Sequence, residues 1–218
     1  MNEARRLIVD FTEKQHGVVN RRQLLDGGLT SRAVRHQVDS GFIEALSPQV
    51  LKLAGSPVTE AQRAMSGVLD APSSAFLSHR SAAAWWGLPG FKMKHPIHVV
   101  IPWQGTTRRT RLAEVHYHRA LPAEHLTSLG GIPVVSPALL MFLLAGSENR
   151  GRTERALDNG LSMRLLTTRT LSQLARSIAR QRSERDHRCP AACGRSAAGL
   201  RRPPKWARVS GRAPSARC

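Results

Sequence analysis

Asn20-Arg21-Arg22-Gln23-Leu24-Leu25-Asp26-Gly27-Gly28-Leu29-Thr30-Ser31-Arg32-Ala33-Val34-Arg35-His36-Gln37-Val38-Asp39-Ser40-Gly41 reads as two short helices joined by a glycine turn. Asn20 has the side-chain oxygen that caps a helix over Arg21–Asp26, with Leu24 and Leu25 turned inward. Gly27-Gly28-Leu29 makes the turn. Thr30 or Ser31 then caps a further helix that runs to Ser40 and stops at Gly41. In that helix Val34 and Val38 form an apolar pair one turn apart, and Arg32, Arg35, His36 and Asp39 point elsewhere.

Working outward, Ala4, Leu7, Ile8 and Phe11 recur at helical spacing ahead of Gly17. Phe42-Ile43 and Val50-Leu51-Lys52-Leu53 flank Ser47-Pro48 as a strand pair. Helix, short helix, glycine turn, helix and hairpin is the order of a winged helix-turn-helix, here predicted over residues 1–55. Such a motif needs one apolar stripe to dock its recognition helix and a polar outer face for the major groove. Val34 and Val38 supply the stripe; Arg32, Arg35 and His36 supply donors, arginine being the best bidentate reader of guanine. Ser31 and Gln37 are weaker candidates. Arg21 and Arg22 lie in a first helical turn, where charge and free N–H groups can both grip a phosphate, and Lys52 is the candidate wing contact.

Residues 56–180 form a second, mixed α+β unit. A helix is predicted from Pro57 to about Ala71 and another from a Ser78 cap to Gly87. Strands are predicted at Ala75–Leu77, Ile97–Ile101, Glu114–His118 and Ile132–Val135, and Arg108-Arg109-Thr110-Arg111 reads as a solvated basic loop. Ser136-Pro137 opens an apolar helix to Ala145, followed by helices at about 151–163 and 168–180. His95, His98, His116 and His118 match no metal-site spacing and are expected to keep no company with a carboxylate or cysteine. His116 and His118 alternate with Tyr117 and are placed on the wet face of a sheet, and Trp85-Trp86 are placed in the core. No phosphate loop or nucleophile elbow occurs, so no catalytic residue, metal or cofactor is expected.

The whole chain has 218 residues, 33 Lys plus Arg against 15 Asp plus Glu, and a net charge of +18. Ten of those basic residues and only two acidic ones fall in 181–218, a stretch with almost no apolar side chains, which predicts a disordered basic tail. Two origins compete for it: a nucleic-acid arm, or the Arg/Ala/Pro/Cys mixture of a G+C-rich gene read out of frame after Gln181. Confinement of all three cysteines (Cys189, Cys193, Cys218) to this tail favours the second, and their odd number excludes a disulfide scaffold. His187, Cys189 and Cys193 are weak evidence for zinc, with no fourth ligand placed. The most apolar run, Pro137–Gly146, is half the ~20 residues that span a bilayer. The charged N-terminus has no signal-peptide core, so a cytoplasmic protein is expected.

Gln15–Val34 resembles the N-terminal winged-helix domain of the AbiEi antitoxin family, the antitoxin half of type IV toxin–antitoxin pairs. Leu77-Ser78-His79-Arg80-Ser81-Ala82-Ala83-Ala84-Trp85-Trp86-Gly87-Leu88 and Gly131-Ile132-Pro133-Val134-Val135-Ser136-Pro137-Ala138 resemble later motifs of the actinobacterial kind, so the likeness spans about residues 3–180. It implies a DNA-binding transcriptional regulator that represses its own operon and counters a nucleotidyltransferase-type toxin encoded nearby. The helix-turn-helix positions it implies are Arg21, Arg22, Ser31, Arg32, Arg35 and His36.

Many such relatives continue into a domain similar to very-short-patch-repair endonucleases, which needs an acidic cluster for a metal. Beyond residue 180 this chain has only Glu184 and Asp186. The alternative reading is therefore the non-catalytic remnant of a frameshifted endonuclease-like protein. Two further departures are Gln49-Val50-Leu51, where relatives carry Gly-Val-Tyr in the wing, and Leu139, Leu140 and Leu143, where they carry Arg, Thr and Asp. The second departure predicts a surface that is stickier or differently packed. The expected architecture is α+β: winged helix-turn-helix 1–55, antitoxin-like domain 56–180, disordered tail 181–218.

Overall fold

A computed structural model describes residues 2–72, 74–102, 109–118 and 121–188. The chain is α+β, and its contacts divide it into two compact units, Met1–Leu174 and Ala175–Cys218. In the first unit, helix α1 (Glu3–Lys14) is capped by Asn2, whose side chain accepts from the Ala4 amide, and buries Ala4 and Ile8. Gly17, at φ +85°, turns the chain into strand β1 (Val18–Asn20). Helix α2 (Arg21–Asp26) starts on a capping box: the Asn20 side chain accepts from Arg22 N at 2.8 Å and Gln23 Oε1 accepts from Asn20 N at 2.9 Å. Helix α3 (Ser31–Asp39) is capped by Thr30, which accepts from Ala33 N at 3.1 Å.

Strands β2 (Ile43–Ala45) and β3 (Val50–Leu53) complete an antiparallel sheet in the order β1-β3-β2. Strand β1 is absent from the sequence reading because three residues are too few to show an alternation; pairing of Val18–Asn20 with Val50–Lys52 makes it a strand. Ile8, Val19, Leu24, Val34, Ile43 and Leu51 form the fully buried cluster beneath, with Val38 partly buried against it. Each such aliphatic side chain contributes about 1.5–3 kcal/mol of transfer free energy.

The five-stranded sheet runs β6-β5-β4-β8-β7, from β4 (Phe76–Leu77), β5 (Ile97–Pro102), β6 (Ala113–His118), β7 (Leu126–Leu129) and β8 (Ile132–Val135). β5 and β6 are parallel, as are β4 and β8; the other pairs are antiparallel. Helix α4 (Glu60–Asp70) packs on β5 so closely that a Cβ added to Gly67 would lie 2.6 Å from Ile97 Cγ2. It starts three residues after the predicted Pro57, because Thr59 accepts from Gln62 N and sets the cap. Helix α5 (His79–Trp85) also packs on β5, on the side of His98 and not of Ile97, and is tied to the β7–β8 hairpin by two indoles. Trp85 Nε1 donates to Leu129 O and Trp86 Nε1 to Val135 O.

Helix α6 (Pro137–Ser147) buries Leu139 and Leu140, so two of the three leucines expected to change the surface are core instead. Helices α7 (Arg150–Ser162) and α8 (Thr168–Arg188) follow. The backbone of α8 continues eight residues past the predicted stop at 180, into the stretch whose composition predicts disorder. The remaining tail, 189–218, lies outside the described residues.

No linker separates the small sheet from the large one. Asp70, buried at the end of α4, accepts from Ser47 Oγ in the β2–β3 turn at 2.5 Å and from the amides of Arg111 and Leu112 at 2.7 and 2.8 Å. Asn20 Nδ2 donates to Leu69 O, and His16 Nε2 is hydrogen-bonded to Gly130 O at 2.9 Å.

Candidate functional site

Two surfaces carry chemistry. The first is the outer side of α3. Val34 is fully buried beneath it, and Ser31, Arg32, Arg35 and His36 are all exposed or half-exposed. Neither Arg32 nor Arg35 has an acidic partner among the described residues. Gln37 departs from its candidate role: it is buried and accepts from Arg5 Nε at 3.2 Å. Arg22 is exposed, with Asp26 at 3.6 Å one turn on. Arg21 is half-buried and donates from Nε to Pro48 O, which ties α2 to the β2–β3 turn.

Lys52 is not presented as the wing contact the sequence suggests. Its ammonium lies 3.1 Å from Glu44 on the paired strand, and its side chain is only 13% exposed. The structure thus brings Ser31, Arg32, Arg35 and His36 onto one helix, while Arg21 and Lys52 are engaged within the fold. Arg109 is exposed in the loop before β6, as is Arg111, and Arg108 lies outside the described residues.

The second surface is a cavity of about 740 Å³ beside α5 and the β5–β6 edge. Parallel register sets His98 opposite Glu114, and alternation puts Glu114, His116 and His98 on the same face. His98 Nδ1 and His116 Nε2 are 3.0 Å apart, and the Glu114 carboxylate reaches to 3.7 Å from each. This corrects two expectations: the histidines do have a carboxylate beside them, and the face they occupy is a half-enclosed cavity and not an open wet surface.

His79 completes the group from the start of α5. Its ring centroid is 3.8 Å from that of His116, its Nδ1 is hydrogen-bonded to Ser78 Oγ, and its φ is +47°. A left-handed backbone at a non-glycine residue costs roughly 1–3 kcal/mol and persists where the surroundings over-determine it. Burial, and after it the neighbouring His116, His98 and His118, pushes the His79 imidazole down to about 3. Burial also lowers His98, against the pull of Glu114, and lowers His116, with His98 adding to the effect. The three rings are therefore uncharged near neutral pH.

Across the cavity Arg80 donates from Nε and Nη2 to the two oxygens of Glu148, and Arg152 lies 3.6 Å from the same carboxylate, whose side chain is 3% exposed. The hydrogen bond to Glu148 raises the Arg80 pKa further. Arg152 also stacks on Phe91, and Lys92 and Lys94 stand exposed at the rim.

Spacing along the chain does not reveal this group, because Glu114 and His98 meet only through a parallel register across the 103–112 connection, and His79 comes from a helix. The Glu114/His116 alternation is the one local signal. The cysteines of the tail lie outside the described residues. In comparisons with known proteins, no family model and no curated protein matches this chain. No helix among the described residues is long and apolar enough to cross a membrane.

Proposed function

We propose that this chain is a DNA-binding transcriptional regulator of AbiEi antitoxin type, a cytoplasmic protein that represses its own operon and is paired with a nucleotidyltransferase-type toxin. In this reading residues 1–55 act as a winged helix-turn-helix. The observation that carries it is the outer side of α3, where Arg32 and Arg35 stand exposed with no acidic partner among the described residues. Guanidiniums already paired within the protein would have to exchange that partner for DNA; these do not. Arg32, Arg35, His36 and Ser31 read base edges, and Arg22 grips phosphate from the first turn of α2.

The test is a fluorescence-anisotropy titration of duplex from the gene's own promoter region against a shuffled duplex at fixed salt. Arg35→Ala is expected to weaken promoter binding by about 1–3 kcal/mol and relax base preference, while Arg22→Ala weakens both duplexes alike and lowers the salt dependence. Lys52→Ala leaves both affinities unchanged, because its ammonium is held by Glu44. Parent-like binding by both arginine variants rejects this face as the DNA contact.

A further inference from the structure

We propose that His98, Glu114 and His116 bind a zinc ion whose remaining coordination position opens into the 740 Å³ cavity and takes an anionic ligand. This inference is independent of the DNA-binding reading. The three ligand atoms lie within 4.8 Å of one another, and the closest pair, His98 Nδ1 and His116 Nε2, is 3.0 Å apart. Zinc binds imidazole nitrogen at ~2.0–2.1 Å and carboxylate oxygen at ~2.0–2.2 Å, so neighbouring donors stand ~3.3 Å apart in a tetrahedral shell. The Glu114 carboxylate faces both nitrogens through different oxygens, Oε2 at 3.7 Å from His98 Nδ1 and Oε1 at 3.7 Å from His116 Nε2, so a side-chain rotation brings one oxygen into the shell.

Two imidazoles and one carboxylate suit zinc, whereas magnesium and calcium call for an all-oxygen shell. Two paired parallel strands carry all three donors, and such elements hold geometry better than loops. His79, whose ring centroid lies 3.8 Å from that of His116 at an angle of 32°, limits rotation of the His116 ring and is a positioning residue.

The open position follows from counting: three protein ligands leave one, and all three side chains line the cavity. The character of the ligand follows from charge. Glu148 is taken by Arg80 and Arg152, and Glu114 by the metal. Lys92 and Lys94 at the rim then have no acidic partner among the described residues. A cavity with a cation at its floor and two lysines at its rim recruits an oxyanion, for which inorganic phosphate is the probe.

The experiment uses the full chain with Cys189, Cys193 and Cys218 changed to serine, so that tail thiolates do not compete for metal. Calorimetric titration with zinc chloride is expected to show one equivalent bound. Glu114→Gln and His116→Gln are each expected to weaken binding by more than ~100-fold, since even loss of an outer-shell partner costs ~10–100-fold. Their zinc-free melting curves should stay cooperative. If a variant does not fold, cobalt(II) added to the parent decides: visible bands of a four-coordinate nitrogen/oxygen site support the proposal, and a six-coordinate aqueous spectrum overturns it. Unchanged zinc affinity in folded variants also overturns it. Added phosphate is expected to shift the cobalt bands in the parent and not in Lys92→Ala/Lys94→Ala, and no shift in the parent overturns the anionic ligand.

Discussion

The Asp70→Ala variant is expected to lose about 3–5 kcal/mol of unfolding free energy, read as a lower urea midpoint at unchanged slope. The Asp70 side chain is buried and accepts three hydrogen bonds, from Ser47 Oγ and from the amides of Arg111 and Leu112. Alanine leaves those donors without an acceptor in a place water reaches poorly, and each stranded donor costs about 1–3 kcal/mol. Asp70→Asn keeps one oxygen for the two amides, while its NH₂ can donate to Ser47. It is expected to cost about 1 kcal/mol, the net worth of one ordinary hydrogen bond. A loss below about 1 kcal/mol for alanine would mean that the three donors find other partners.

Gly67→Ala is expected to destabilise by about 2–3 kcal/mol, although alanine in a helix interior is normally better than glycine by about 1 kcal/mol. The added methyl meets Cβ, Cγ1 and Cγ2 of Ile97 at once, and Cβ is fixed to the strand backbone, so no rotamer change relieves the overlap. The helix has to lift from the sheet. Gly146→Ala, in α6, is the matched control: nothing lies within 4 Å of the added carbon, and a gain of about 0.5–1 kcal/mol is expected. Equal thermal shifts for the two variants would show that close packing of α4 on β5 is not what selects glycine at 67.

The two predictions also mark where local signals suffice and where they do not. Asn20, Thr30 and Ser136 announce their helices, because a capping side chain bonds within three residues of itself. Ile132–Val135 is legible for a similar reason, since a short β-branched run after two glycines has one easy reading. Strand β7, absent from the sequence reading, does have a local signal. Gly130-Gly131, at φ +59° and +78°, is a two-residue hairpin turn, and such a turn ahead of Ile132–Val135 calls for a partner strand on its other arm. Leu126–Leu129 supplies it. The inner face of α3 is legible from Val34 and Val38, which both pack on the core cluster.

Other features need the third dimension. Gln37, three residues after Val34, flanks the apolar stripe, but the partner that lets its amide be buried, Arg5, comes from α1. Lys52 sits at an exposed-looking strand position, and cross-strand pairing with Glu44 occupies it. The histidine group depends on a parallel register over a crossover, which no spacing in the chain reveals.

Asp70, Asn20 and His16 fasten the small sheet to the large one at three separate points. Asp70 bonds Ser47 on one side and Leu112 on the other, and Glu114 comes two positions later in β6, so one buried carboxylate joins the β2–β3 turn to the strand that carries Glu114.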